Sequence, residues 1–327
     1  MDNEKHTINS LVNTFGQKKV LVIGDTIVDH YVRGTLLGTS AETPTIVARE
    51  IGEEFSLGGA FLVCRNLLQL QAQVRFISLL GKDREAQFVE SFEHPNFELL
   101  SVSDPDRKTT VKRRYWVDGY KLLQFDQLDE RPLSLEHQEE VVSIVSKEIA
   151  SASAVILSDY RHGLLTEGLI PRLVSLVTES GKPLYVDSQV SQKKANHALY
   201  HGAEYMCLNR KEACAVCPEL ESELQFEPLL QTLGSKNIII KDGERGSIAH
   251  IEGKEYSTAA YPANVVDTCG AGDAFLAAFS LTDSSYPKES LFIANTWAGL
   301  STQIAGPQPP EFHKLQKVLE DVWSVSQ

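Results

Sequence analysis

Two aspartates, Asp267 and Asp273, flank a short turn that is rich in glycine, and a run of helix-forming residues follows the second aspartate. A glycine-rich turn that opens a helix leaves several backbone N–H groups unpaired, and the helix dipole adds positive potential at the same place. Such a turn binds anions. Because an aspartate would repel an anion, Asp273 is better suited to accepting a proton from a hydroxyl that attacks a phosphorus atom held by those amides. The turn therefore points to phosphoryl transfer, and the alternative is that Asp273 only caps the helix.

The longer motif that contains both aspartates reads Asp267-Thr268-Cys269-Gly270-Ala271-Gly272-Asp273. It resembles the Asp-Thr-x-Gly-Ala-Gly-Asp signature of the ribokinase family of sugar kinases, which is also called the phosphofructokinase-B family. The resemblance implies a ribokinase-like fold, ATP as the phosphoryl donor, Mg²⁺, and Asp273 as the base. It also implies that the amides of Gly270, Ala271 and Gly272 form the anion hole. By the same resemblance, Asp267 holds a monovalent cation such as K⁺, together with carbonyl groups of residues 304–308.

Unbroken apolar runs that end in polar residues alternate with helical patterns along the chain, which is typical of parallel strands buried on both faces. The runs are 19–25, 74–80, 154–160, 183–187, 203–209 and 237–241, and the helical patterns include 166–180, 288–305 and 311–325. The alternation predicts an α/β fold with one doubly wound, mostly parallel sheet and helices on both faces, in a single domain over residues 1–327. The apolar pair Val265-Val266 is expected to end a further strand.

Two segments, about 31–56 and 109–126, interrupt this alternation with short β patterns. The second segment turns at Asp118-Gly119, which is a strong hairpin signal. Together the segments predict a small β lid over the ligand edge of the main sheet. A thin sheet can bury only one face against its own domain, so the apolar residues of the lid predict a homodimer that forms through the two lids.

The candidates for acceptor binding lie at a strand exit and on the lid. Ligands of open parallel sheets bind beyond the carboxyl ends of the strands, which places Asp25 in reach of a substrate hydroxyl, with a turn or cap as the alternative. Gly58 and Gly59 allow a ligand to approach the backbone closely. Asp25 and this glycine pair match the substrate-binding signature of the family. The other candidates are Asp29, Lys112 and Arg114.

Lys112 and Arg114 belong to a basic cluster that also contains Arg113. On a lid above an anionic substrate, this cluster could hold a sugar phosphate through charge-assisted hydrogen bonds. The alternative is a solvated charged face.

The family resemblance assigns the nucleotide side of the site. By itself, the spacing of Asn209 and Glu212 is a frequent helix-capping pattern. In the family, this Asn-x-x-Glu lies near the triphosphate, and its Glu organises Mg²⁺ through water. The nucleotide-binding candidates are Asn209, Lys241, Gly243, Gly246 and Asn295.

Within the family, several segments are most similar to the heptose-phosphate kinases of lipopolysaccharide precursor synthesis. They include residues 24–31, 40–44, 57–60 and 158–163. Two positions depart from that group, because Leu62 stands where an Asn is usual and Gln189 where a Lys is usual. Leu62 offers no hydrogen bond to a sugar hydroxyl, and Gln189 removes a positive charge.

Composition narrows the remaining choices. The net charge of −13 argues against a general binder of nucleic acid, and no apolar run approaches the length of a membrane span. The polar N-terminus and five cysteines predict a cytoplasmic protein with reduced thiols, so Cys214 and Cys217 are expected to be structural. Two alternatives to a sugar or sugar-phosphate kinase stay open: a nucleoside kinase of the same family, and a nucleotide- or sugar-binding regulator without turnover.

Overall fold

The computed structural model describes residues 2–190, 194–221 and 225–324. Within these ranges the strands are β1 Lys19–Gly24, β2 Thr26–Thr39, β3 Ile46–Gly59, β4 Gln73–Leu80, β5 Phe97–Ser103, β6 Val111–Val117, β7 Tyr120–Gln127, β8 Ala154–Asp159, β9 Leu184–Ser188, β10 Tyr205–Asn209, β11 Asn237–Lys241, β12 Ser247–Ile251 and β13 Lys254–Thr258. The helices are α1 Asp2–Asn13, α2 Ala60–Gln69, α3 Arg84–Glu90, α4 Leu135–Glu148, α5 Leu169–Glu179, α6 Arg210–Val216, α7 Phe226–Leu233, α8 Ala271–Ser280, α9 Pro287–Ser301 and α10 Phe312–Ser324.

Nine strands form the main sheet in the order β13-β12-β11-β10-β9-β8-β1-β4-β5. All neighbours from β11 to β5 are parallel, and the two pairings at the other edge, β11 with β12 and β12 with β13, are antiparallel. In β1, Val20 and Val22 point into one hydrophobic core while Leu21 and Ile23 point into the other. Helices therefore cover both faces of the sheet, and the predicted α/β class is confirmed.

A second sheet has four strands in the order β3-β2-β6-β7, and we call it the lid sheet. Its strands come from the two chain segments that the sequence separates from the main sheet, although β2 and β3 extend to Thr26 and Gly59. The predicted hairpin is confirmed, because Asp118 and Gly119 both have positive φ angles, 48° and 83°, between the paired strands β6 and β7.

The prediction of a strand at Val265-Val266 is wrong. The amides of Val266 and Asp267 donate to the carbonyl oxygen of Thr302 at 2.8 and 3.0 Å, so they pair with the end of a helix and not with a strand. Both valine side chains are more than 60% exposed. An apolar pair needs a neighbouring strand to form a ladder, and β13 already ends the sheet at this edge.

Helix ends differ from the sequence prediction by a few residues, since α5 begins at Leu169 and α9 ends at Ser301. Position 325, the predicted end of the last helix, lies outside the described residues. Cys214 and Cys217 are free thiols. Across residues 2–190, 194–221 and 225–324, no helix is long and apolar enough to cross a membrane, and no cluster of side chains resembles a metal centre.

Candidate active site

Helix α8 begins inside the glycine-rich turn, at Ala271. Gly270 directly precedes it with a φ of +81°, and a Cβ atom there would lie 2.4 Å from Cδ2 of Leu62. In the described part of the chain, the N–H groups of Gly270 and Gly272 donate to no protein acceptor, whereas that of Ala271 makes a long bond of 3.3 Å to the carbonyl of Thr268. Two backbone donors are thus unpaired at a helix N-terminus, which is the geometry that binds a phosphate oxygen.

Asp273 lies in the first turn of α8 and is half-buried. Its Oδ1 accepts a hydrogen bond of 2.8 Å from the hydroxyl of Tyr160, which follows β8. Burial and the nearby charge of Asp187 raise the pKa of Asp273 to about 7, and the Tyr160 hydrogen bond and Lys241 oppose this rise. A carboxylate with a pKa near neutrality is well matched to accepting a proton at physiological pH.

Lys241, at the end of β11, forms an ion pair with Asp187 of β9. Its Nζ lies 3.3 Å from the place where a Cβ of Gly272 would be, so the amino group stands beside the glycine-rich turn. Burial opposes the charged form of Lys241, but Asp187 and Glu212 outweigh it and raise the pKa of the amino group. A permanent positive charge therefore sits next to the unpaired amides.

Asn209 and Glu212 form a capping box at the start of α6. The Asn209 side chain accepts from the amide of Glu212 at 2.9 Å, and Glu212 Oε2 accepts from the amide of Asn209 at 2.7 Å. Burial and Asp187 raise the pKa of Glu212 to about 7. The pair thus caps its helix, as the spacing alone suggests, and it also places a buried acid beside the Lys241 ion pair.

Asp25 is almost fully buried and accepts three backbone hydrogen bonds from the loop after β8. The donors are the amides of Tyr160, His162 and Leu164, at 3.1 to 3.2 Å. Burial and Asp159 raise the pKa of Asp25 to about 7, while the three amides lower it. Since both oxygens of Asp25 are engaged by the loop, binding a substrate hydroxyl would require an exchange of these bonds.

Asp29 and Arg114 form an ion pair at the base of the lid sheet. Gly58 makes room for it, because a Cβ there would lie 2.5 Å from Asp29 Oδ2. Gly59 has a φ of +63°, and a Cβ on it would meet the carbonyl oxygen of Asp25 at 2.4 Å. Gly58 therefore leaves space for the Asp29 side chain, and Gly59 leaves space for the backbone of Asp25.

Lys112 lies two residues before Arg114 on β6, so both side chains point to the same face of the lid sheet. Arg113, on the opposite face, pairs with Glu85 at 3.0 Å. Among the described residues Lys112 makes no ion pair, whereas the charge of Arg114 is compensated by Asp29.

The lid base lies near the glycine-rich turn. Burial raises the pKa of the Cys269 thiol, the charges of Asp267, Asp273 and Asp29 raise it further, and Arg114 lowers it. Cys269 of the turn therefore lies close enough to Asp29 and Arg114 for both of their charges to affect its pKa. The candidate base and the unpaired amides therefore lie where the base of the lid sheet approaches the start of α8, and we call this region the cleft.

The remaining candidates lie in loops around this cleft. Asp267 accepts from the amide of Cys269 at 2.9 Å and from that of Gly306 at 3.1 Å, and so ties the turn to the loop after α9. Gly243 and Gly246 have φ angles of +60° and +91° in the loop after β11. Asn295 is buried and donates to Ser247 Oγ at 2.9 Å and to the carbonyl of Thr258 at 3.2 Å, so it holds the edge hairpin against α9.

Two residues of the cleft were not assigned a role from the sequence. Tyr160 and Asp187 both stand at exits of parallel strands, where ligands of such sheets bind. Their position at strand exits was a signal for the region, but nothing in the local sequence indicates that they contact Asp273 and Lys241.

A doubly wound sheet, a covering lid sheet and an acid at an amide-lined helix start define a phosphotransferase with the ribokinase-like fold. The chain belongs to the pfkB family of carbohydrate kinases, whose model matches residues 17–314.

Named relatives agree with this membership. The chain is 30% identical over 310 residues to the bifunctional protein HldE of Bradyrhizobium diazoefficiens, covering 91% of this chain and 62% of that protein. It is 30% identical over 331 residues to HldE of Desulfatibacillum aliphaticivorans, covering 97% of this chain and 66% of that protein. The chain therefore spans less than two thirds of the length of these relatives.

Solved structures show the same fold. Arabidopsis thaliana ribokinase, complexed with ribose and ATP, superposes with a TM-score of 0.70 at 19% identity, covering 93% of this chain and 99% of that chain. Escherichia coli phosphofructokinase-2, in complex with potassium, gives a TM-score of 0.71 at 15% identity with the same coverages.

Proposed function

We propose that this carbohydrate kinase transfers the γ-phosphoryl group of ATP to a hydroxyl of a sugar phosphate, with a heptose phosphate as the favoured acceptor. The observation that carries the proposal is the grouping at the start of α8. There, a half-buried acid whose pKa is about 7 stands beside two unpaired amides and a half-buried lysine. These groups match the needs of phosphoryl transfer, which depends on positioning and on charge stabilisation.

In the proposed step, the acceptor oxygen forms a bond to the γ-phosphorus while the bond to the β,γ-bridging oxygen breaks and ADP leaves. The acceptor proton passes to Asp273. The amides of Gly270 and Gly272, with Lys241, stabilise the negative charge on the transferred group. The Ala271 amide would join them on giving up its long bond to Thr268.

The donor set fits Mg²⁺, because the two acids Asp187 and Glu212 carry more negative charge than the single positive charge of Lys241 balances. Carboxylate oxygens are also the ligands that this ion prefers. Glu212 would hold the ion through water. When bound, Mg²⁺ neutralises charge on the phosphates of ATP. Asn209, Lys241, Gly243, Gly246 and Asn295 remain the nucleotide-side candidates, and Asp267 remains the candidate for K⁺.

On the acceptor side, Lys112 supports the assignment of a phosphorylated substrate. It is half-buried, it makes no ion pair among the described residues, and it shares the lid face with Arg114 and Asp29. An acceptor phosphate would supply its counter-charge. Asp25, Asp29, Gly58 and Gly59 complete the proposed acceptor region. A cytoplasmic location belongs to the same proposal.

The test is a panel of sugars, sugar phosphates and nucleosides assayed for ADP release with ATP and Mg²⁺. The proposal expects turnover with sugar phosphates, and turnover of a heptose 7-phosphate at the highest kcat/KM. Activity with nucleosides alone would identify a nucleoside kinase. Calorimetric binding of ATP and Mg²⁺ without turnover of any compound would instead identify a regulator.

We also propose a homodimer that forms through the lid sheet. Apolar side chains on its strands are strongly exposed, and exposed apolar surface of this kind often marks an interface. They include Leu36, Leu37, Ile46, Ile51, Tyr120, Leu122, Leu123 and Phe125. Trp116 is half-buried and is therefore a poorer probe of the interface than Phe125.

A further inference from the structure

The hydrogen bond from Tyr160 to Asp273 joins two elements that are 113 residues apart, and the proposed function gives it no role. The Tyr160 hydroxyl is held close to Asp273, because hydrogen bonds also hold the backbone of Tyr160 in place. The amide of Tyr160 donates to Asp25 at 3.1 Å, and two further amides of the same loop hold that carboxylate. The backbone of Tyr160 is therefore fixed by Asp25, and this limits the positions that the phenol can take.

The two oxygens of Asp273 are unequal. Oδ1 accepts from the Tyr160 hydroxyl at 2.8 Å, and no side chain of the described residues donates to Oδ2. The carboxylate also accepts from the backbone amide of Asp273 itself. Burial raises the pKa of the Tyr160 phenol well above its usual value, and Asp273 raises it further, so the phenol keeps its proton over the working range of an enzyme. Because the phenol stays protonated, it can donate to Oδ1 throughout this pH range, and the loss of this bond would leave a carboxylate oxygen without its partner.

We propose that Tyr160 is a positioning residue that holds Oδ1 of Asp273 and thereby presents Oδ2 to the hydroxyl of the acceptor. The inference rests on the proposed role of Asp273 as the base. Tyr160 does two things for that base: it fixes the rotation of the carboxylate, and it stabilises the ionised form that can accept a proton.

Other charged groups near Asp273 also affect the pKa of its carboxyl group. Asp187 on β9 raises the pKa of Asp273, and Lys241 on β11 lowers it. Cys269 of the turn also interacts with the carboxylate. Because Asp187 and Lys241 form an ion pair with each other, a change at Tyr160 leaves their combined effect in place.

The experiment compares kcat/KM and kcat against pH for the wild type and Tyr160→Phe, using ATP, Mg²⁺ and the best acceptor of the panel. In the wild type, activity is expected to rise with pH through about 7, because the pKa of Asp273 is about 7. Tyr160→Phe removes a bond that favours the ionised form, so this rise is expected to move up by about one pH unit. We also expect kcat on the plateau to fall several-fold while KM for ATP is unchanged.

Tyr200→Phe is the matched control. Tyr200 is a buried tyrosine whose hydroxyl also donates to a carboxylate at 2.8 Å, but its partner is Asp159. Its loss is expected to lower thermal stability and to leave the pH profile in place. Site-specific 3-fluorotyrosine at position 160 serves as a second probe that preserves packing. It is a stronger donor, so the rise in activity should move to lower pH.

The outcomes separate this inference from the proposed function. If Asp273→Asn is inactive but neither change at position 160 shifts the pH–activity profile, the role of Tyr160 is wrong and the assignment of Asp273 as the base stands. Full activity of Asp273→Asn overturns the assignment of the base, and the role of Tyr160 with it. If Tyr160→Phe does not fold, the direction of the fluorotyrosine shift decides, and an unchanged profile counts against the inference.

Discussion

The main sheet and the lid sheet differ in whether their notable side chains have partners within this chain. At the carboxyl edge of the main sheet, Asp25, Asp187, Lys241 and Asp273 each have a defined partner within the same chain. On the outer strands of the lid sheet, apolar side chains such as Phe125 are more than half exposed. The difference indicates that the proposed phosphoryl-transfer groups are preorganised in one chain. The exposed apolar side chains of the lid sheet are, by contrast, the surface that the proposed homodimer would cover.

The largest expected effect on kcat comes from a change to Asp273, at the carboxyl edge of the main sheet. Asp273→Asn keeps the shape of the side chain and removes the proton acceptor, so kcat should fall by roughly 10²- to 10⁴-fold with any confirmed acceptor. Steady-state kinetics at pH 8 measure it. Asp283→Asn, which changes a carboxylate at a surface turn, should keep wild-type activity. A wild-type rate for Asp273→Asn would contradict the assigned role.

The next effect concerns Lys241. Lys241→Met removes the charge beside the Gly272 amide and leaves Asp187 without its partner, so we expect a loss in kcat on the order of 10²-fold. The loss should be accompanied by a rise in the pH at which activity appears, because Lys241 lowers the pKa of Asp273. Lys236→Met, at an exposed position just before the same strand, is the control. If both variants behaved alike, the lysine would have no special place in the site.

A third prediction concerns the close packing of Gly270 in the glycine-rich turn against Leu62. Gly270→Ala forces a side chain into a left-handed backbone and against Leu62, so it should destabilise the protein by about 2 kcal/mol or more. Gly119→Ala is a matched control, since Gly119 has a φ of +83° and open space around it. Thermal unfolding measures both.

Leu62→Ala then tells strain from crowding at Gly270. In a background that carries Leu62→Ala, Gly270→Ala should lower the free energy of unfolding by about as much as Gly119→Ala does, because only the backbone strain is left. Additive losses would mean that Leu62 does not constrain the turn.

The smallest effect on turnover is expected on the lid side. Phe125→Glu should weaken the dimer by about 2 kcal/mol, which is more than tenfold in Kd, and lower kcat/KM for the acceptor only modestly. Light scattering at micromolar concentration measures the assembly. Leu135→Glu changes an equally exposed leucine on α4 and should leave the dimer intact. A monomeric wild type would remove the basis for the interface.

The sequence predicts the fold well, because buried parallel strands leave unbroken apolar runs and the Asp118-Gly119 pair permits a tight hairpin. It fails at Val265-Val266, because an apolar pair in a loop has the same local pattern as a strand end. Tyr160 and Asp187 escape prediction for a different reason. Their roles depend on contacts across 113 and 54 residues, and a single sequence carries no signal of such a pairing.

The anchoring of the Asp25 carboxylate by the loop after β8 affects how mutational scans of this enzyme should be interpreted. Replacing Asp25 by alanine would release the loop that carries Tyr160, so activity would fall through the loss of that anchor as well as through any loss in the proposed acceptor region. A scan scored by survival or turnover would therefore rank this buried anchor among the catalytic acids. Asp25 and Asp273 would be indistinguishable by loss of function alone, and a stability assay run in parallel would separate them.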